Sequence, residues 1–393
     1  MAIYRGFVAI LLAIPILPSC IVGLGLSERQ AAETNNKFII SLKDGLSKRE
    51  VDAYVNRVND FHERILGRRE LNFPGIENKI DMGKFHAIVA EVEPDELVRI
   101  SEVIVQPDAG YGLAAISSQG PGSTDYRYDN SAGKGTFAYI VDTGINADHE
   151  EFGGRVTKGF NGFNDSIIDL FGHGTLVAGV LGSKTYGAAK LANLIDVKVF
   201  EGDETPRSKV LSGYAWAVND ITSRGRASRS VINMSLGGPF SQVFNKAVES
   251  AFQSGILTVA CAGNDAKSTA TASPASTPNA ITVGAIDQSW KMAGFSNFGS
   301  EVDILAPGVD ILTTFIGSTT AKKRASGTSL SCPYVAGMAL YVAALENINS
   351  PAEITSRILA LGTRDKATDL KSNTVNLVAN NGALGVSPRA FNS

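Results

Sequence analysis

Cysteine, histidine and tryptophan are scarce in this chain, whose 393 residues hold three, four and two of them. Three cysteines (Cys20, Cys261 and Cys332) are too few for a disulfide-stapled scaffold. No two of the four histidines have the spacing of metal ligands, which disfavours a catalytic metal. An excess of either charge is also missing: 36 basic against 39 acidic residues leave −3, which argues against nucleic-acid or polybasic membrane binding. There is no internal repeat, low-complexity tract or long block of like charge. The apolar run Phe7–Leu17 is short and broken by Pro15, so it predicts no membrane span. With Arg5 before it, it reads as a secretory signal peptide of residues 1–20, cut between Ser19 and Leu26.

Against that background a few short segments carry chemistry. Phe137-Ala-Tyr-Ile-Val141 is an apolar, β-prone run that reads as a buried parallel strand. Asp142 ends it, where ligand sites of open α/β sheets lie, although an Asp before Gly144 could equally cap a turn. His173 opens the small-residue helix start His173-Gly-Thr-Leu-Val-Ala-Gly-Val-Leu-Gly182. His62 and His86 fall before this part of the chain and His149 sits in a charged run, which leaves His173 as the candidate base. Ser329, in Gly327-Thr-Ser-Leu-Ser-Cys-Pro333, lies at the amino end of a long apolar helix. Ser is a common N-cap there, yet unpaired N–H groups at that end also favour an oxyanion. A hydroxyl is a poor nucleophile without a base and an oxyanion site. Asp142, His173 and Ser329 occur in one of the chain orders known for a Ser-His-Asp triad. Ala262-Gly263-Asn264 follows another apolar strand and could supply an oxyanion donor. Ser230–Ser235 with Leu236, Gly237 and Gly238 is a strand ending in paired glycines, which lets an extended peptide backbone approach.

In their order and spacing these segments resemble the subtilisin-like serine proteases (peptidase S8), and within them the fungal, proteinase K-like branch. The resemblance runs from about Gly112 to the C-terminus. It implies Ser329 as nucleophile, His173 as general base, Asp142 as its orienter, and an oxyanion hole of the Asn264 amide and the Ser329 N–H. It also implies an S1 pocket between Ser235-Leu236-Gly237-Gly238 and Cys261-Ala262-Gly263. Neither wall contains Asp or Glu, so large apolar or aromatic P1 side chains are expected. No cofactor is required for such catalysis, no metal ligand is assigned, and structural calcium is left open. The chain departs from the family's usual residues at Leu176, Leu330, Ser331, Cys332 and Tyr334, none of them in the triad.

Residues 21–111 differ in texture. Strands are expected at Lys37–Leu42, near Glu70–Phe73, at His86–Val92 and at Val103–Gln106, with helices over Ser47–Leu66 and Pro94–Ser101. This small α+β, ferredoxin-like module resembles the I9-type inhibitory propeptide of the same family, which would make it an intramolecular inhibitor. Its junction with the following segment is short. From Gly112, strands alternate with helices, predicting a doubly wound, mostly parallel α/β domain over residues 112–393. Strands are expected at Thr136–Val141, Asn193–Val199, Ser230–Ser235, Gly255–Ala260, Ala280–Ala285 and Val302–Leu305. Helices are expected at His173–Gly182, Ser208–Ser223, Ser241–Ser254, Ser329–Leu345 and Pro351–Leu361.

Together these features predict a secreted, monomeric zymogen that cleaves extended polypeptides, with no nucleic-acid partner. Two alternatives stand beside it: a non-catalytic, prodomain-plugged homologue that binds peptides, and a serine esterase. Free buried cysteines are expected at Cys261 and Cys332. Asn164 and Asn233 head glycosylation sequons, Asn164 being the better candidate because Asn233 falls in a buried strand.

Overall fold

The computed structural model describes residues 37–41, 76–82, 85–91, 103–163 and 167–383, with isolated positions between 49 and 56. The expected signal peptide, the helix Pro94–Ser101 and the sequon at Asn164 lie outside the described residues. The chain divides into two compact units, Met1–Ile100 and Ser101–Ser393.

In the first unit, strands β1 (Lys37–Ser41), β2 (Ile76–Met82) and β3 (Phe85–Glu91) form an antiparallel sheet in the order β1-β3-β2. The strand expected near Glu70–Phe73 lies outside the described residues, and β2, at the edge of this sheet, was not foreseen. Its sequence Ile-Glu-Asn-Lys-Ile-Asp-Met is too polar to announce itself by composition. Strand β4 (Val103–Gln106), expected to complete this module, belongs to the second unit instead, antiparallel to β5 (Tyr126–Asp129).

The second unit is built on β6 (Phe137–Asp142), β7 (Val156–Asn161), β8 (Asn193–Lys198), β9 (Ser230–Met234), a two-residue β10 (Gly238–Pro239), β11 (Leu257–Cys261), a two-residue β12 (Ala272–Ser273), β13 (Ile281–Ile286), β14 (Ile304–Pro307), the hairpin β15 (Ile311–Thr314) and β16 (Lys322–Ala325), and the short β17 (Thr363–Arg364) and β18 (Leu377–Val378). Nine of these make one sheet in the order β17-β18-β14-β13-β11-β9-β6-β8-β7, parallel except between β17 and β18. The helices are α1 (His173–Gly182), α2 (Arg207–Ser223), α3 (Gln242–Gln253), α4 (Thr328–Glu346) and α5 (Pro351–Leu361). This is the doubly wound arrangement expected from the alternating pattern.

Both faces of the sheet are covered, which explains why its central strands read as continuous apolar runs. Along β6, Ala138 and Ile140 join a core with Val177 and Leu181 of α1 and Val335 and Ala339 of α4. The alternate residues Tyr139 and Val141 join Tyr214 and Ile221 of α2 and Phe244 and Val248 of α3 on the other face. Helix α4 is long and apolar enough to cross a membrane, but 83% of its apolar window is buried, so it is a core helix. Asp142 ends β6, and Ser235–Gly238 and Ala262–Asn264 follow the carboxyl ends of β9 and β11; hydrogen bonds between Ser329 and Ser235 bring the start of α4 to the same end of the sheet.

Candidate active site

At the end of β6, the Asp142 carboxylate meets Nδ1 of His173 through both oxygens, at 2.8 and 2.9 Å. The carboxylate is 3% exposed and the imidazole 29%, so one end of the pair is buried and the other reaches solvent. The Thr143 amide also donates to Asp142 Oδ1 (2.7 Å). Close approach of α1 to this loop requires glycine at 174, since a Cβ there would overlap the Gly144 carbonyl. The Gly174 amide is then free to donate to Thr143 Oγ1 (2.8 Å).

Asp169, which sequence reasoning missed, organises the same corner. It is buried and accepts from Thr143 Oγ1 (2.9 Å), the Gly172 amide (2.7 Å), and the Thr175 amide and hydroxyl (3.0 and 2.6 Å). It thus caps the start of α1, where unpaired N–H groups and the helix dipole favour an anion. Burial alone would lower the His173 pKa. The charge and hydrogen bond of Asp142, with the charge of Asp169, outweigh it and hold His173 above the ordinary 6.5.

Beneath the loop, Lys198 Nζ donates to the Thr143 carbonyl (2.7 Å) and the Phe200 carbonyl (2.8 Å). Its strand neighbour Asp196 is fully buried; one oxygen accepts from the Ile145 amide (3.2 Å) and the other has no partner. Burial, followed by the nearby carboxylates Asp169 and Asp142, pushes the Asp196 carboxyl up to about 8 against the pull of the Ile145 amide and Lys198.

Ser329 is the second residue of α4. Pro333, four residues on, has no N–H to give the Ser329 carbonyl its helical partner. The Ser235 hydroxyl donates to that carbonyl instead (2.9 Å), and the Ser329 hydroxyl donates back to the Ser235 carbonyl (3.1 Å). The Ser329 Oγ is therefore turned to Ser235 in this structure and not to His173. Asn264 is exposed, and its Oδ1 accepts from both the amide and the hydroxyl of Thr328, each at 2.8 Å. A backbone N–H can only donate, so the atom facing Thr328 must be oxygen, and the amide NH₂ points the other way.

These residues border a pocket of about 480 Å³. Leu236, Gly237, Gly238, Ala262, Gly263, Asn264 and Ser329 line it, as does Cys261. Ser235 is not in the lining; it sits behind it, held by Asn233 Nδ2 (2.9 Å). Pro239, Ala272, Ala275 and Asn297 were not foreseen in the lining, nor were the exposed Asp265 and Lys267. Ala272 reaches the pocket because β12 pairs with β10, a tertiary contact with no local signal. A Cβ added at Gly237 or Gly238 would come no closer than 3.6 and 4.0 Å to the protein, so packing does not demand glycine at either position. Gly263 is different: its φ of +103° and the Asn297 side chain against it admit no other residue.

Cys261 and Cys332 are both free and buried. Cys332 Sγ donates to Asn233 Oδ1 and to the Val259 carbonyl, both at 3.3 Å. Asn233 is fully buried, so it is no glycan acceptor in the folded chain. Among the described residues, no group of three His, Cys, Asp or Glu could hold a metal ion.

With this geometry in view, comparisons with known proteins are informative. The subtilase family (peptidase S8) matches residues 133–381. Alkaline protease 1 of Emericella nidulans is 45% identical over 401 residues, covering 96% of this chain and 99% of the relative. An alkaline proteinase of Hapsidospora chrysogena is 42% identical, covering 88% and 92%. A crystal structure of a cold-adapted subtilisin-like serine proteinase superposes with a TM-score of 0.64 at 35% identity, covering 69% of this chain and 97% of that one.

Proposed function

The chain belongs to the subtilase family, and on that premise we propose that it is a secreted serine endopeptidase, made as a zymogen, that cleaves extended polypeptides after apolar residues. The observation that carries the reading is the Asp142–His173 pair, buried at the carboxylate and open at the imidazole, at the same carboxyl end of the sheet as Ser329. Asp142 fixes the tautomer with the proton on Nδ1, leaving Nε2 free to accept. On substrate binding the Ser329 hydroxyl turns from the Ser235 carbonyl to that nitrogen; such hydrogen bonds commonly form only in the Michaelis complex. Ser329 Oγ then attacks the scissile carbonyl as His173 takes its proton. The oxyanion that forms is met by the Ser329 amide at the α4 terminus and by the Asn264 NH₂. His173 passes its proton to the leaving amine, and water hydrolyses the acyl-enzyme by the reverse sequence.

The glycines at 237 and 238, which internal packing does not require, leave room for the substrate backbone to lie along β10. The pocket walls at 236–238 and 261–263 carry no charge; Asp265 and Lys267 are exposed and of opposite sign. That supports a preference for apolar P1 side chains. Residues 1–20 are taken as the signal peptide and 112–393 as peptidase; the propeptide, first expected over 21–111, is taken to end near Ile100, because β4 pairs with β5 in the second unit, and the enzyme is taken to act as a monomer.

A fluorophosphonate probe applied to the secreted protein tests the reading. Mass spectrometry is expected to find the adduct on Ser329, with casein hydrolysis lost in step with labelling. Labelling elsewhere, or none on a protein freed of its propeptide with β4 retained, refutes it. Turnover of small esters without hydrolysis of unfolded protein would indicate the esterase alternative.

A further inference from the structure

Just before the turn that delivers Ser329, the chain sets three cations in a row, Lys322-Lys323-Arg324, all exposed. They form β16, whose partner β15 pairs Thr314 with Lys322 and Thr313 with Lys323. Arg324 is neutralised by Asp310, its Nη1 lying 3.1 Å from the carboxylate. Among the described residues, neither Lys322 nor Lys323 has an ion pair. Glu150, which meets the hairpin turn, accepts from Thr319 (3.3 Å). Lys323 Nζ instead stands 4.4 Å over the Phe315 ring.

Phe315 ties this patch to the reacting groups. Its ring lies so close against Gly172 that a Cβ there would overlap it, and Gly172 immediately precedes His173. The Lys323–Phe315 stack therefore lies against the residue that precedes His173, whereas the pocket at 236–238 and 261–264 lies on the Ser329 and Asn264 side. If Ser329 is acylated, His173 protonates the leaving amine, so the peptide on the carboxyl side of the cut must pass His173 toward that stack. An extended chain advances about 3.3 Å per residue, and Lys323 Nζ stands 4.4 Å from a ring that abuts Gly172, so the patch is within a few residues' reach of the cut. A net charge of −3 makes this cationic strand a local exception on an otherwise slightly acidic protein.

We propose that Lys322 and Lys323 select polypeptides carrying Asp or Glu in the second and third positions after the scissile bond, with Phe315 as the apolar platform between His173 and the ammonium groups. This specificity rests on the endopeptidase reading above.

The test uses the secreted full-length gene product and quenched-fluorescence peptides that share one apolar P1 residue and differ only at those two positions: Asp-Asp, Ala-Ala or Lys-Lys. A p-nitroanilide with the same acyl part but nothing after the bond serves as reference. The expected kcat/KM is roughly tenfold higher for Asp-Asp than for Lys-Lys at low salt, the scale of two exposed charge pairs. In about 1 M salt, where the screening length falls to ~3 Å, the ratio should collapse toward one. The double variant Lys322→Glu/Lys323→Glu should invert the preference and leave anilide turnover within about twofold. Lys322→Ala/Lys323→Ala should abolish it. An Asp-Asp to Lys-Lys ratio near one in the unaltered enzyme, insensitive to salt, overturns the proposal, as does an unchanged ratio in both variants. Failure to turn over the anilide and every peptide overturns the endopeptidase reading, and this one with it.

Discussion

Asn264→Ala is the perturbation that most directly tests how the site is assembled. Asn264 Oδ1 is held by two donors from Thr328, so the side chain is already oriented before substrate arrives, with its NH₂ free. A donor oriented in advance costs nothing to reorganise when charge develops, and loss of one such donor costs about 10²–10³ in turnover, or ~2.7–4 kcal/mol. The ground-state carbonyl carries little charge, so the loss should fall on kcat, with KM changing less than about threefold. Asn264→Asp sharpens the argument. Its carboxylate still accepts from Thr328 and keeps the local fold, but it presents an anion where the oxyanion forms, so its kcat should fall below that of the alanine variant. Thr328→Val removes one of the two anchors while the Thr328 amide remains, and a loss of roughly 3–10-fold is expected from the loosened amide. The assay is initial-rate hydrolysis of an apolar-P1 peptide anilide, normalised to sites titrated by a fluorophosphonate. A kcat loss under about fivefold for Asn264→Ala, or an Asp variant more active than the Ala variant, would refute this role for Asn264.

Two further outcomes follow from the charges around the loop. Because the Asp142 carboxylate offsets burial and holds His173 above 6.5, the acid limb of kcat/KM should lie above that value, activity being lost as pH falls and the base is protonated. Asp142→Asn should lower kcat by about 10⁴ and move that limb to lower pH, and a limb that stays put in the pH–rate profile would count against the assignment. Asp196 has its carboxyl raised from 3.8 to about 8, so the folded chain holds its proton more tightly than the unfolded one. Its stabilising contribution is complete below 3.8 and is lost as pH rises to about 8. Asp196→Asn, measured by thermal unfolding in a Ser329→Ala background to prevent autolysis, should gain roughly 2–5 kcal/mol at pH 9 relative to its effect at pH 4; equal effects at both pH values would sink that argument.

The parts legible in the sequence were those whose signal is local. The central strands lie on both faces against helices, so β6, β9, β11 and β13 are largely apolar; with β8, whose apolar residues are interrupted by Asp196 and Lys198, they fell within a residue or two of their expected bounds. Helices α1 and α5 carry their own start signals, a small-residue run and Ser350-Pro351, and both were placed to the residue. Edge strands gave no such signal: Val156–Asn161 is half-exposed and interrupted by Gly159, and Lys322–Ala325 is mostly charged. Strand β4 was legible as a strand but not as a partner of β5, because four residues say nothing of what they pair with. Of the candidate site residues, Asp142, His173 and Asn264 stand at or just beyond element ends, where the sequence marks them. Asp169 and Thr328 are not so marked, because each acts through donors brought to it by tertiary packing.

The same packing gives a physical meaning to the residues that flank Ser329. Leu330, Ser331, Cys332 and Tyr334 are all 3% exposed or less, and Leu176 is 6% exposed. They line no part of the pocket. Leu330 and Tyr334 pack into the core shared by α1 and α4, and the Cys332 thiol binds Asn233 of β9 and Val259 of β11. These contacts set where α4 sits on the sheet. The start of α4 carries three things at once: Ser329, the Thr328 that orients Asn264, and the carbonyl that Pro333 frees for Ser235. Asp142, Asp169 and His173 form a second set on the β6 end and α1. The two sets are joined through the sheet and through the packing of α1 on α4, so a volume change at Leu330 or Cys332 displaces one relative to the other. Such displacement alters the Ser329–His173 geometry and hence kcat; at Cys332, which also touches β9 and β11, it would reach the pocket as well, because Asn233 holds Ser235 behind the pocket wall.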